Sequence, residues 1–323
     1  MNSTGQPDAA SSTDLRLRIG LDLGGTKTEI ACLDGHGEII LRTRAGTPRN
    51  DYPGTVALLA AMVTQAENHL GRRGTVGVGI PGTISNRSGL VRNANSTWLN
   101  GRPLKQDLQA ALGREIRIQN DANCLAVSEA TDGAAAGCGV VFAAIVGTGV
   151  GAGIAINGVA HSGINGIAGE WGHVPLPSPD ASEQSGRRCW CGRSGCIEAW
   201  VSGPALAADH LHITAMHLDA RTIAARARQG DCPDCAASLQ RWHSRLARSL
   251  AMVINTLDPD AIVLGGGLSN IASIYTELPE LIRPHLFSDE FNTPIVPSRH
   301  GDSSGVRGAA WLWPDSVDPH KQT

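Results

Sequence analysis

LRLRIGLDLGGTKT, residues 15–28, alternates apolar and polar side chains and then breaks into a double glycine. Leu15, Leu17, Ile19 and Leu21 fall on one face of a strand, with Arg16, Arg18 and Gly20 on the other, until Asp22 ends the run. Gly24 and Gly25 allow a tight turn whose backbone N–H groups are not shielded by side chains, as an incoming phosphate requires. It is not a Walker A loop: Thr26 separates Gly25 from Lys27, and the residues from Thr28 to Leu33 are β-branched or apolar and predict a second strand instead of a helix. Taken alone, the stretch reads equally as a phosphate turn and as a glycine hairpin with no ligand.

Outward from this hairpin, Asp34-Gly35-His36-Gly37 predicts another turn and residues 38–43 a third strand, making an antiparallel meander. Asp51 caps a helix running to about His69, with Pro53 in its first turn and Gly71 past its end. A strand over 75–80 ends in Pro81-Gly82-Thr83, a second turn able to approach a ligand closely. The segment NANSTWLNG, 93–101, is rich in side-chain donors and acceptors and suited to hydroxyl groups. A short helix over 103–112 and a strand over 115–119 follow, and Asn120-Asp121 stand at that strand's carboxyl end before a helix. Asp121 there is either a helix cap or a ligand-site acid, since ligands in α/β folds gather at the carboxyl ends of strands.

The opening pattern then recurs. Residues 140–146 predict an apolar strand, Gly147-Thr148-Gly149-Val150-Gly151 a glycine turn containing a threonine, and Asn157-Gly158 a second hairpin turn at about the same spacing as in the first copy. Two similar lobes, each offering a glycine hairpin, suggest a nucleotide phosphate chain gripped between them. A Pro/Ser-rich loop over 175–188 is expected to be mobile. A helix over 239–257 stops at Asp258-Pro259, and a buried-type strand over 261–264 runs into Gly265-Gly266-Gly267 and a helix, where backbone can lie against adenosine or phosphate. A last helix, 305–313, has no destination that can be read locally.

At 323 residues the chain exceeds one comfortable core, so two domains are expected, and 41% hydrophobic residues suffice for both. A net charge of −3 and a pI near 6.4 give no general attraction to nucleic acid or an anionic membrane. Residues 1–14 are small and polar, with no signal-peptide pattern, and read as a disordered tail. The apolar run 139–156 contains five glycines and reads as two strands, not a membrane span. Eight cysteines without an export signal point to reduced thiols or metal ligands and to the cytoplasm.

Cys189, Cys191 and Cys196 can close around one ion because Gly192 and Gly195 let the backbone bend, and His173 is chosen as the fourth ligand. A Cys3His zinc would be coordinatively closed and structural, fixing the loop that carries Glu170, His173 and Glu198. Two carboxylates there could also suggest glycoside hydrolysis, but hydrolysis has no use for several phosphate-type turns. Cys232-Pro-Asp-Cys235 has redox spacing yet no preceding strand and is expected to be a solvent-exposed turn, while His210, His212 and His217 are expected to be surface histidines.

The segments IGLDLGGTKTEIA, GIPGTIS, QNDANCLAVSEA, VGTGVGAGIAINGVAHSGINGIAGEWGHVPL, CWCGRSGCIEAWVSG and IVLGGG together closely resemble the ROK sugar kinases across residues 16–313. Within that family the chain is most similar to bacterial fructokinases of the manno(fructo)kinase type, notably in NANSTWLNG, GEWGHVPLP and HGDSSGVRGAAWLWP. The resemblance implies an α/β fold, the duplicated two-lobed actin-like (ribonuclease H-like) ATPase fold with a cleft between lobes. The expected lobes are a small one over 15–121, joined by the returning C-terminal helix 303–313, and a large one over 122–302 with a zinc loop at 173–198. It implies transfer of the ATP γ-phosphoryl group to a hexose 6-hydroxyl, fructose first, mannose too, with a glucose or N-acetylglucosamine kinase as the alternative. Asp121 matches the general base; Asn120, Glu170, His173 and Glu198, with Asn95 and Gly82, match sugar ligands. Asp22, Gly24, Gly25, Thr26, Lys27, Gly147, Thr148 and Gly149 match the phosphate and Mg²⁺ side, and Gly265, Gly266 and Gly267 the adenosine side. His173 would serve zinc and sugar through its two ring nitrogens. A homodimer is also implied. A non-catalytic sugar-sensing regulator is the reading of a different class; it would lack a base at position 121, and the family's repressors carry a DNA-binding domain before the first hairpin.

Overall fold

The structure, a computed structural model, describes residues 16–314. The expected tail, 1–14, and Leu15 lie outside the described residues. The chain divides into two compact units, one taking in everything up to Cys124 together with Gly305 onward, the other Leu125–Ser304.

In the first unit, β1 (Arg18–Leu23), β2 (Lys27–Leu33), β3 (Ile39–Gly46), β4 (Thr75–Ile80) and β7 (Arg117–Asn120) form one sheet in the order β3-β2-β1-β4-β7. Between these strands come α1 (Tyr52–Leu70), a small hairpin of β5 (Thr83–Ile84) and β6 (Val91–Arg92), and α2 (Leu104–Leu112). The first three strands are antiparallel; β4 lies parallel to β1 and β7 parallel to β4. Helix α3 (Asp121–Thr131) carries the chain across the division.

The second unit repeats the plan. Its strands β8 (Val140–Val146), β9 (Val150–Ile156), β10 (Val159–Ala160), β11 (Ala261–Gly265) and β12 (Ile295–Pro297) take the order β10-β9-β8-β11-β12, again antiparallel through the hairpins and parallel beyond. Its helices are α4 (Glu198–Val201), α5 (Gly203–Thr214), α6 (Ala220–Gln229), the long α7 (Pro233–Leu257) and α8 (Ser273–Ile282). Two copies of one five-strand order, each with its second strand reversed, make this the duplicated actin-like ATPase fold.

Strand β1 is buried on both faces, not one. Leu17, Ile19, Leu21 and Leu23 are at most 1% exposed, and on the other face Gly20 lies in register with Gly77. A Cβ at Gly20 would stand 2.0 Å from the carbonyl of Val306, and one at Gly77 1.8 Å from that of Ala309. The two glycines let α9 (Ser304–Ala310) lie directly on the sheet, which is the destination that local pattern could not supply. Arg18, on the face opposite the leucines, is buried: it donates to the Trp313 carbonyl at 2.8 Å and stacks on the Trp311 ring.

Three further expectations are corrected. The loop 175–188 is tethered, because buried Glu183 accepts from Arg245 at 2.6 Å and Arg248 at 2.9 Å on α7. Cys232 and Cys235 form no exposed turn: Cys232 caps α7, its sulfur accepting the Cys235 N–H, and both are buried. His210 is buried and bonded to Ser238 at 2.9 Å, whereas His212 and His217 are exposed as expected. Among the described residues no helix is long and apolar enough to cross a membrane, and the run 139–156 is β8 and β9.

Candidate active site

The Gly24-Gly25 turn joins β1 to β2, as the opening stretch predicts. Neither glycine has a positive φ; the requirement is space, since a Cβ on Gly24 would stand 2.7 Å from the Lys27 carbonyl and one on Gly25 3.1 Å from Ser96 Oγ. A residue that sequence reading missed supports the turn. Thr47 at the end of β3 donates its hydroxyl to the Gly24 carbonyl at 2.9 Å and lies 2.8 Å from Thr28 Oγ1. Ser96, buried with no hydrogen-bond partner for its hydroxyl among the described residues, lies against Gly25. Lys27 and Thr26 are exposed at the turn.

Asp22 sits at the end of β1, with its carboxylate near the bare Cα positions of Gly79 and Gly305. Burial, then the charges of Asp121 and Glu29, push its pKa up to about 6 against the pull of Lys27 and Arg44. Asp121 opens α3, and its Oδ1 accepts the N–H of Ala122 at 2.8 Å. The cap reading and the ligand reading of Asp121 are therefore compatible, because one oxygen serves the helix. Asn120 is locked beside it, donating to the Gly82 carbonyl at 3.0 Å while its Oδ1 also accepts from Ala122. Gly82 has φ +87 and would meet Arg92 and Ala94 backbone if it carried a Cβ, so this position demands glycine. The 93–101 segment closes on itself through Asn100, which pairs with both backbone groups of Ala94, leaving Asn95 exposed.

In the second unit the corresponding turn, Gly147 to Gly149, joins β8 to β9. Gly147 accepts from the Gly203 N–H at the start of α5, and Val150 donates its N–H to Glu198 Oε2 at 2.8 Å. The other Glu198 oxygen accepts from the Trp190 indole. Glu198 thus braces the glycine turn against the cysteine loop, and a carboxylate's remaining lone pairs leave room for a hydroxyl. Gly172 and Gly169 lie against the carbonyls of Val150 and Ala152, which places Glu170, exposed, and His173 beside the same strand.

The sulfurs of Cys189, Cys191 and Cys196 and a ring nitrogen of His173 lie within 4.8 Å of one another. His173 Nδ1 is 3.6 Å from Cys189 Sγ, and Cys191 and Cys196 sulfurs are 3.6 Å apart. Zn–S bonds of about 2.3 Å in a tetrahedron require S···S edges near 3.8 Å, so the donor set fits a closed zinc site. Gly192 and Gly195, with φ +89 and +77, make the bends.

The third glycine cluster completes a cavity in the second unit. Gly265 ends β11, Gly266 has φ +85 with its Cα against the Val146 carbonyl, and Gly267 opens a short 3-10 helix, not the regular helix expected. Gly147, Thr148 and Gly267 line one end of a cavity of ≈ 1500 Å³ whose walls come from α5, α6, α7 and α8. That is ample for a nucleotide. The walls of α6 and α8 carry no motif, so sequence reading did not find them.

The chain matches the ROK family over residues 18–316. It is 40% identical over 298 residues to an N-acetyl-D-glucosamine kinase of Shigella boydii, covering 91% of this chain and 98% of the relative. Among solved structures, a ROK hexokinase from Thermus thermophilus has 30% identity and a TM-score of 0.80, covering 92% of this chain and 97% of the other. A ROK family glucokinase from Streptomyces griseus, solved with glucose and AMPPNP, has 28% identity and a TM-score of 0.72, covering 92% and 98%. The manno(fructo)kinase likeness is thus corrected toward relatives that act on N-acetylglucosamine. With the five-strand plan repeated and the family's match running from β1 past α9, the chain belongs to the ROK family.

Proposed function

We propose that the chain is an ATP-dependent kinase that phosphorylates the 6-hydroxyl of N-acetyl-D-glucosamine. The observation that carries the sugar is the 40% identity to an N-acetylglucosamine kinase along nearly its whole length. Fructose, the first expectation from sequence, takes second place.

Asp121 accepts the proton of the attacking hydroxyl; its position at the head of α3, with Oδ1 held by the Ala122 N–H, supports this role. Asn120, held by Gly82, and Glu170, His173 and Glu198 take the sugar hydroxyls, with Asn95 at the edge. Gly24, Gly25, Thr26 and Lys27, with Gly147, Thr148 and Gly149, take the phosphates through backbone N–H groups and one ammonium. Gly265 to Gly267 and the adjoining cavity take adenosine.

The Asp22 pKa, raised first by burial and then by the charges of Asp121 and Glu29, marks a carboxylate that a bound cation would stabilise, and hard oxygens suit Mg²⁺, which uses one or two carboxylates plus substrate phosphates. When bound, Mg²⁺ neutralises phosphate charge. Cys189, Cys191, Cys196 and His173 would hold a structural Zn²⁺, which would fix the loop that carries Glu198.

A coupled ADP-release assay comparing kcat/KM for N-acetylglucosamine, glucose, mannose and fructose tests this reading. N-acetylglucosamine is expected to lead; fructose leading would restore the sequence expectation. ADP release with none of the four would sink the kinase.

A further inference from the structure

One wall of the ≈ 1500 Å³ cavity carries a polar group that the roles above leave unused. His243 of α7 has a side chain only 1% exposed, and its Nδ1 lies 2.7 Å from Glu277 Oε2 on α8. Its Nε2 lies 3.5 Å from Ser273 Oγ. Burial holds the imidazole pKa below its ordinary value despite Glu277, so the ring is neutral at pH 7. A neutral ring in this setting has one arrangement that serves both neighbours: Nδ1–H donates to the carboxylate, and Nε2 accepts the Ser273 hydroxyl.

Glu277, half-exposed, is thereby held by one oxygen, and the other is left for a ligand. All three side chains line the cavity. Its other surfaces differ in kind. Gly147, Thr148 and Gly267 are a backbone-rich part of the lining suited to phosphate, and alanines of α6 and α7, among them Ala220, Ala224 and Ala236, offer apolar surface to a base alongside Arg221 and Arg228. What remains of a nucleotide is its ribose, whose vicinal hydroxyls are two adjacent donors. A carboxylate, which only accepts, matches them, and the charge strengthens each bond.

We propose that Glu277, positioned by His243, accepts the ribose hydroxyls of the nucleotide and makes this protein discriminate ribonucleotides from 2′-deoxyribonucleotides. The inference rests on the kinase reading and adds a specificity residue to it.

Calorimetric titration of the full chain with ADP and with 2′-deoxy-ADP, in the presence of Mg²⁺, tests it without turnover. The wild type is expected to bind ADP about tenfold more tightly than the deoxy form, as loss of one charge-assisted hydrogen bond requires. In Glu277→Ala the ADP affinity is expected to fall to the deoxy level, with the ratio near one. Glu277→Gln, which keeps the side chain's size, is expected to lose most of the discrimination and guards against a folding defect. Equal binding of the two nucleotides by the wild type, or an unchanged ratio in both variants, overturns the inference while leaving the kinase intact. A wild type that binds neither nucleotide overturns the kinase reading itself, and this inference with it.

Discussion

The two units share a strand order yet use their central hairpins for different chemistry. In the first, β1 ends in Asp22-Leu23, and the turn that follows is supported by uncharged hydroxyls, Thr47 and Thr28. Burial, with the charges of Asp121 and Glu29 added to it, raises the Asp22 pKa to about 6. In the second, β8 ends in Ile145 and Val146 with no acid, and the turn is held by a carboxylate brought from elsewhere, Glu198, already engaged by Val150 and Trp190. One plan therefore yields one unit with charge held in reserve and one whose charge is committed to scaffolding. Reserve charge suits a base and a cation; committed charge suits a rigid binding surface.

The sharpest way to break this contrast is Asp121→Asn. If the first unit holds the reacting acid, turnover should fall by about 10²–10⁴ while sugar still binds by calorimetry. Near-normal kcat would move the base elsewhere.

Asp22→Asn probes the reserve charge through stability. A carboxyl whose pKa is raised from 3.8 to about 6 on folding favours its protonated form in the native state. Its contribution is full below the unfolded pKa and is lost as pH rises through about 6, a change of up to about 3 kcal/mol. The Asn variant escapes that loss, so without divalent cations it should melt several degrees above wild type at pH 8 and by only about half as much at pH 5. Adding Mg²⁺ should raise the wild type alone. Parallel melting curves for the two proteins at both pH values would remove the claim of unbalanced charge.

The committed charge is tested by Cys191→Ser. Stoichiometric zinc should disappear from metal analysis, and the KM for sugar should rise on the order of tenfold as the loop that braces Glu198 loosens, with ADP affinity little changed. Zinc retained at full occupancy in an active variant would refute the ligand set.

How far these features can be read in the sequence follows from where each one's partner lies. Turns, caps and the cysteine cluster are local, so Gly24-Gly25, the Asp51 cap of α1 and the His173 set were legible residue by residue. The glycines at 20 and 77 read only as small residues in strands, because the helix that needs them arrives from position 304 onward. Buried polar residues were misplaced for the same reason. His210 follows Asp209, which is buried with salt bridges to Arg187, Arg241 and Arg245, and His210 itself is bonded to Ser238. Period-based reading assigns such residues to solvent since it cannot see a partner far along the chain. The cavity of the second unit is harder still: its alanines and the His243–Glu277 pair have no motif, and only the packing of α6, α7 and α8 brings them together.

The smallest expected effect is also the most local. Thr47→Val removes the hydroxyl that bridges the Gly24 carbonyl and Thr28 while keeping the side chain's shape. Stability should drop by about 1 kcal/mol, the usual worth of one such hydrogen bond, with some added cost for the buried Thr28 hydroxyl left behind. If the first unit's turn is held only by uncharged groups, this loss should be the same at pH 5 and pH 8 and insensitive to salt. The second unit offers the control, since its turn hangs on a carboxylate: Glu198→Gln should weaken the Val150 contact and show a salt dependence that Thr47→Val does not. Denaturant unfolding of both variants at two ionic strengths separates the cases. A salt-sensitive Thr47→Val would mean that the first turn, too, leans on charge.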